Sequence, residues 1–299
     1  MSKGEMSLLA EPFLKWAGGK RELACKIASY FPKRIDTYYE PFLGGGAVFW
    51  FLALNKRFKN AVLNDSNREL MDCYRVVRDF PDELIIVLKD LEAKYNEAGA
   101  SVDTARPFYE HWRDLNPQAL DPVSRAARTI LLNKTGFNGL YRVNLHGVFN
   151  VSWSKRKRVS LFSEARIWAC SATLNDRVTL LSVDFTHAAP ATEEFDVIYF
   201  DPPYLPTSRT ASFTGYTGSG FNRDDHYTLR SMFERLVDQG TKVVLSNVDL
   251  PEVREMYNSF EQYEIQAARA INSDGAKRGP VGELIIVGRH ASAKAPGPP

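Results

Sequence analysis

Short runs of β-forming residues recur along this chain with helix-compatible stretches between them, and that alternation argues for an α/β sheet over an all-α or all-β body. The runs are Thr37 to Glu40, Ala61 to Asn64, Val178 to Ser182, Asp196 to Phe200, Lys242 to Ser246, Tyr263 to Ala270 and Glu283 to Arg289. Between residues 70 and 163 the character changes. Strand-like runs become few, and Pro81 to Tyr95 and Val123 to Asn133 read as helices. The expected architecture is one sheet built from residues 1–69 and 164–299, interrupted by a mainly helical insertion over 70–163 and followed by a disordered Ala- and Pro-rich tail over 291–299. With 299 residues and 44% apolar content, the chain can bury a sizeable core.

Several function classes fall away early. The longest apolar run, Ala47 to Leu54, is too short to cross a bilayer, and the first twenty residues contain no compact hydrophobic stretch leading to a cleavage site. A cytoplasmic protein with no membrane partner is expected. Cys25, Cys73 and Cys170 form no Cys-x-x-Cys pair, and His111, His146, His187, His226 and His290 include no pair at metal-ligand spacing. No metal is expected.

The total charge of +2 conceals an uneven distribution. Between Arg125 and Arg166 nine basic residues face the single acid Glu164, a net of +8, so the remainder of the chain carries −6. Such a segment is the electrostatic footprint of a polyanion, because Lys and Arg release condensed counterions from phosphates. A solvated basic loop would have the same composition, and charge alone leaves both readings open.

Two motifs carry chemistry. The first, Glu40-Pro41-Phe42-Leu43-Gly44-Gly45-Gly46, follows a strand and opens the apolar helix that begins at Ala47. Glycines there permit a tight turn and close approach to a ligand, while the helix start offers unpaired amides. The third glycine of a standard dinucleotide loop is missing. Asn64-Asp65 lies about twenty residues on, where an acid can accept both hydroxyls of a ribose. Together they indicate a nucleoside cofactor. Phe13 to Lys20 ends in Gly-Gly-Lys, but no Ser or Thr follows Lys20 and the preceding glycine of a phosphate loop is absent.

The second motif is Asp201-Pro202-Pro203-Tyr204, directly after the apolar run Val197 to Phe200. A buried strand ending this way places a carboxylate, outward carbonyls and an aromatic face at the carboxyl edge of a sheet. These parts suit one problem. The exocyclic amine of adenine or cytosine is a weak nucleophile because its lone pair is delocalised into the ring. If a carboxylate and a backbone carbonyl accept its two N–H groups, the nitrogen moves towards tetrahedral geometry and its lone pair is aimed at an electrophile. A sulfonium methyl group is an electrophile that requires no metal and no covalent enzyme intermediate. Methylation at a ring carbon would require a cysteine nucleophile, and none of the three cysteines lies in a proline-bounded loop.

On Phe13 to Lys20, Glu40 to Gly46, Asn64-Asp65, Asn138 to Arg142, Phe149 to Val151 and Asp201 to Tyr204, taken in that order, the chain resembles the Dam-like DNA adenine methyltransferases over nearly its whole length. The resemblance implies a Rossmann-like sheet that binds S-adenosylmethionine, with the insertion as target-recognition domain. It implies methyl transfer to N6 of an adenine flipped out of double-stranded DNA, within GATC or another site containing GAT. By position, Trp16, Lys20, Phe42, Gly44, Gly46, Asp65 and Asp201 match cofactor-binding residues, with Asp65 on the ribose. Asp184 is either a partner for the cofactor's adenine or a surface turn acid. Asp201, Pro202, Pro203 and Tyr204 match the catalytic tetrad, with Asp201 and the Pro202 carbonyl as amine acceptors and Tyr204 stacking on the base.

Lys15, Phe137, Asn138, Leu140 and Arg142 match positions that approach the duplex. Phe137 would help occupy the gap left by the flipped adenine, and Arg142 would read a base. Core packing is the other reading of Phe137 and Leu140. Close relatives have Gly-Arg-Tyr-Lys where this chain has Ser154-Lys155-Arg156-Lys157, followed by Arg158. Lys155 to Arg158 keep the charge that phosphates require, but the specific Arg-Tyr pair is gone. A cognate restriction endonuclease would be a genetic partner of such an enzyme. Methylation of RNA or of a glutamine amide, and a DNA-binding protein that has lost catalysis, are the alternatives.

Overall fold

The computed structural model describes residues 10–144, 146–189, 196–205, 221–266 and 282–290. The tail over 291–299 and residues 267–270 of the sixth expected strand lie outside them. In chain order the described elements are α1 (Ala24–Ala28), β1 (Ile35–Glu40), α2 (Ala47–Leu54), β2 (Phe58–Asn64), α3 (Arg68–Asp79), α4 (Pro81–Ala98), α5 (Val102–Asp114), α6 (Pro122–Thr135), α7 (Glu164–Thr173), β3 (Val178–Leu181), β4 (Val197–Phe200), α8 (Arg223–Asp238), β5 (Lys242–Val248), α9 (Pro251–Met256), β6 (Phe260–Gln266) and β7 (Gly282–His290).

The strands form one seven-stranded sheet in the order β3-β2-β1-β4-β5-β7-β6. Neighbours from β3 to β5 are parallel, whereas β7 runs antiparallel to both β5 and β6. Side chains of successive strand residues point to opposite faces, so a strand covered on both sides must be apolar throughout. β4 meets that condition. Val197 and Tyr199 enter one core with Ile27, Phe49 and Leu63, while Ile198 and Phe200 enter the other with Leu229, Phe233 and Leu245.

Strand order reverses between β1 and β4, and in open α/β sheets ligands bind outside the carboxyl ends of strands at that point. β1 ends at Glu40, just before the Gly-rich turn, and β4 ends at Phe200, just before Asp201. Antiparallel β7 starts where β5 ends, with Val248 paired to Glu283. The start of β7 therefore joins the same edge.

The helical insertion is mounted on α3. Its Arg75 and Arg78 guanidinium groups each donate at 3.4 Å to β3 carbonyls, at Leu180 and Val178, while the same helix packs on α6. Residue 70, the expected start of the insertion, lies inside this helix, which ends at Asp79.

The charge count of the basic segment overstates what faces solvent. Arg125 pairs with Asp72 at 2.9 Å, Arg128 with Glu69 at 3.2 Å and Arg166 with Glu11 at 3.1 Å. Arg128 is only 2% exposed and also donates at 2.8 Å to the Trp112 and Arg113 carbonyls, which end α5. Three of the nine basic residues thus hold the fold together. Among the described residues, no helix is long and apolar enough to cross a membrane, and no group of three or more His, Cys, Asp or Glu could hold a metal ion.

Candidate active site

Three loops leaving the carboxyl edge are stitched together by Asn64, which is 1% exposed. Its amide donates to Pro41 O at 3.0 Å and Val183 O at 3.1 Å, and its oxygen accepts from Val183 N at 2.9 Å. The next residue, Asp65, accepts the Gly44 N–H on Oδ2 and the Asn67 N–H on Oδ1, each at 2.9 Å. Each carboxylate oxygen keeps a further lone pair. Burial pushes the Asp65 carboxyl up to about 6, against these two amide bonds.

Gly44 sits at φ +49, and a Cβ there would lie 2.8 Å from Trp16 Cδ1, so the indole and the turn are in direct contact. Gly46 caps α2 from the left-handed region. Phe42 stacks on Phe185 at 5.3 Å and meets Phe200 and Phe221 edge-on. Asp184 is exposed and caps the short turn after β3 by accepting from Thr186 N and Oγ1. It follows β3 as Asp65 follows β2, at the same edge of the sheet.

The second half of the site surrounds Lys20, which is 5% exposed. Its ammonium reaches Asp201 Oδ1 at 2.8 Å, the Tyr204 hydroxyl at 2.9 Å and Gly18 O at 3.1 Å, with Glu283 Oε1 at 3.3 Å. Burial alone would lower this lysine, but Asp201, Tyr204 and Glu283 outweigh it and raise the ammonium above the ordinary range. Asp201 Oδ1 also accepts from Ser246 Oγ at 2.9 Å, and Tyr199 OH lies 2.7 Å from that serine oxygen. Since the one serine proton goes to Asp201, Tyr199 is the donor in the second bond. Among the described residues, both donors to the Asp201 carboxylate fall on Oδ1, leaving Oδ2 open.

Sequence reading did not single out Ser246, Tyr199 or Glu283. The available signal was a polar group within a buried strand: Glu283 opens the apolar run Leu284 to Val287, much as Asp201 closes one.

The DNA-side candidates gather on the adjoining surface. Asn133 clasps the segment carrying Lys15 to the loop after α6. It accepts from Lys15 N at 2.9 Å and donates to Lys15 O at 2.7 Å and Gly139 O at 3.0 Å. Trp16 stacks on Tyr141 at 5.4 Å, which brings the indole that touches the Gly-rich turn against the same loop. Asn138 adopts φ 55 at the turn, Phe137 is 50% exposed, and Leu140 packs against a small core of Tyr109, Leu132, Tyr141, Phe149 and Val151. Leu140 is thus half-buried on that core, whereas Phe137 stands in solvent. Arg142 is exposed and donates to Asn150 Oδ1 at 2.8 Å and Asn150 O at 3.1 Å. Lys155, Arg156, Lys157 and Arg158 are all exposed on a loop whose backbone rests against the end of α4, where Gly99 meets the Lys157 carbonyl.

These groups suit S-adenosylmethionine: a carboxylate with free lone pairs for a ribose diol, aromatic walls at Phe42 and Trp16, and a tight turn that leaves no space for side chains. Comparison with known proteins agrees. Residues 16–271 match the family described as D12 class N6 adenine-specific DNA methyltransferase. The chain is 36% identical over 291 residues to Type II methyltransferase M1.LlaDCHI of Lactococcus lactis subsp. cremoris, covering 96% of this chain and 97% of that protein. It is 38% identical over 287 residues to Type II methyltransferase M.MjaIII of Methanocaldococcus jannaschii, covering 93% and 98%. With the DNA adenine methylase of Escherichia coli K12 it shares 32% identity over 275 residues, covering 92% and 94%. Fold, site chemistry and matched length thus agree, and the chain belongs to the D12 class N6 adenine-specific DNA methyltransferases, enzymes that use S-adenosylmethionine to methylate adenine in DNA.

Proposed function

We propose that this enzyme methylates an adenine flipped out of duplex DNA, within GATC or another GAT-containing site, and that Asp201 Oδ2 and the Pro202 carbonyl accept the two N–H groups of the target amine. The observation that carries this reading is the occupancy of the Asp201 carboxylate. Among the described residues, Lys20 and Ser246 both hold Oδ1, which orients the group and leaves the other oxygen for substrate. Bound S-adenosylmethionine supplies an electrophilic methyl group on a sulfonium. Asp201 and Pro202 align the amine nitrogen, Pro203 stiffens the turn, and Tyr204 offers its ring to the planar base. Asp65 holds the ribose through its remaining lone pairs. Phe42, Trp16, Gly44 and Gly46 shape the cofactor pocket, with Asp184 at its adenine end.

The helical segment mounted on α3 is the target-recognition unit of this proposal. Lys15, Phe137, Asn138, Leu140 and Arg142 approach the duplex, with Phe137 as the exposed wedge, and Lys155 to Arg158 bind phosphates. The enzyme acts on DNA in the cytoplasm. Two of its relatives are named Type II methyltransferases, and a cognate restriction endonuclease is its proposed genetic partner.

Incubation with labelled cofactor and plasmid, followed by methylation-sensitive sequencing, tests substrate, atom and site together. Asp201→Ala is expected to abolish transfer while retaining DNA. Turnover by that variant at the parental rate would remove Asp201 from the mechanism.

A further inference from the structure

We infer that Glu283 is a positioning residue for methyl transfer, fixing the Tyr204 hydroxyl and sharing the Lys20 charge with Asp201. The inference rests on the reading of Asp201 and Tyr204 as the amine and base site, and concerns what holds them there.

Four observations carry it. The Tyr204 hydroxyl lies 2.8 Å from both Glu283 carboxylate oxygens, so its single proton is directed at this acid. The same hydroxyl accepts from Lys20, and Lys20 reaches Asp201, so Glu283, Tyr204, Lys20 and Asp201 form one connected chain of contacts. Glu283 is 6% exposed, in a strand that is otherwise apolar through Val287, and a buried carboxylate is retained at such a place only with partners. Lys20 exhausts its three N–H groups on Asp201, Tyr204 and Gly18, leaving Glu283 at 3.3 Å as a second counter-charge.

The consequence follows from charge and geometry. With Glu283 present, the buried ammonium is balanced by two carboxylates, and Asp201 is not its sole counter-ion. Without it, Lys20 is drawn onto Asp201, and the acceptor facing the amine loses electron density where positive charge develops on nitrogen. The tyrosine ring also loses the anchor at its far end. The polar partners of the Glu283 carboxylate among the described residues are Tyr204 and Lys20, so its effect passes through them.

The test is single-turnover methylation by the full chain carrying Glu283→Ala, Glu283→Gln, Tyr204→Phe, the double variant Glu283→Ala/Tyr204→Phe, and Asp201→Ala. Cofactor binding, DNA binding and melting temperature are measured on each. Glu283→Ala is expected to slow transfer roughly 10- to 100-fold, the size of effect that a small misplacement of reacting groups produces. Its dissociation constants for cofactor and DNA should stay within about threefold of the parent, and the double variant should be no more than about threefold slower than Glu283→Ala, because both changes cut the same link. Glu283→Gln keeps an acceptor for Tyr204 and should recover part of the rate. If Glu283→Ala does not fold, Glu283→Gln combined with Tyr204→Phe reads the same coupling.

Parental turnover by Glu283→Ala overturns the inference. So does a double variant slowed by the product of the single effects, or a rate loss matched by a fall in melting temperature and in cofactor affinity. The reading beneath it fails separately: Asp201→Ala at the parental rate removes the amine site, whereas inactive Asp201→Ala beside unaffected Glu283→Ala removes only the role of Glu283.

Discussion

Replacing Gly44 with alanine tests whether the contact between the Gly-rich turn and Trp16 shapes the cofactor pocket. Two costs arise. The residue sits at φ +49, where an L side chain pays about 1 kcal/mol or slightly more in backbone strain. The new Cβ also falls 2.8 Å from Trp16 Cδ1, and the indole cannot simply retreat because Tyr141 stacks on it at 5.4 Å. Overpacking of this kind costs about 1–3 kcal/mol. The sum is about 2–4 kcal/mol, or roughly 30- to 700-fold at 1.4 kcal/mol per decade. Where the free enzyme can relax the turn, this appears as weaker binding of S-adenosylmethionine by calorimetry; where it cannot, it appears as lower stability in denaturant unfolding. The two losses together should reach the predicted total, with DNA retention unchanged. Gly18→Ala is the control, since its Cβ would meet nothing within 4 Å and only the backbone cost remains. Cofactor affinity within about threefold of the parent for Gly44→Ala, with unaltered unfolding, would refute the reasoning.

Asp65 gives a pH signature with opposite signs in two assays. Its carboxyl is raised by burial from 3.8 to about 6, so cofactor affinity should fall as pH drops through 6 and the acceptor is protonated, and Asp65→Asn should flatten that dependence. The same raised value favours the fold below the unfolded pKa and is lost as pH rises through 6, so this residue's contribution to stability moves the other way. Arg128→Met leaves Glu69 without its buried partner and the end of α5 without two donors, and should lower unfolding stability by about 3 kcal/mol; coincident unfolding curves would contradict it. Lys157→Ala should weaken DNA retention alike on all sequences and reduce the slope of log affinity against log salt by about 1. A loss confined to one base position would instead make Lys157 a base reader.

What the sequence determined was local. An apolar run that stops at Asp201-Pro202-Pro203, a glycine turn after β1 and an acid after β2 need only strand periodicity and proline geometry to be read, and the structure sets all three at one edge of the sheet. Charge was legible only as a count. Composition cannot distinguish Arg128, buried between α5 and Glu69, from Lys157 in solvent, because pairing depends on helices that meet only after folding. What Glu283 and Ser246 touch was beyond local reading for the same reason. Ser246 reaches Asp201 across 45 positions of chain and Glu283 reaches Tyr204 across 79, because β5 lies beside β4 and antiparallel β7 begins where β5 ends, an arrangement decided by the order of strands in the sheet. Asn133 likewise bridges 118 positions to hold Lys15 beside the loop after α6, joining two sites that the chain itself keeps far apart.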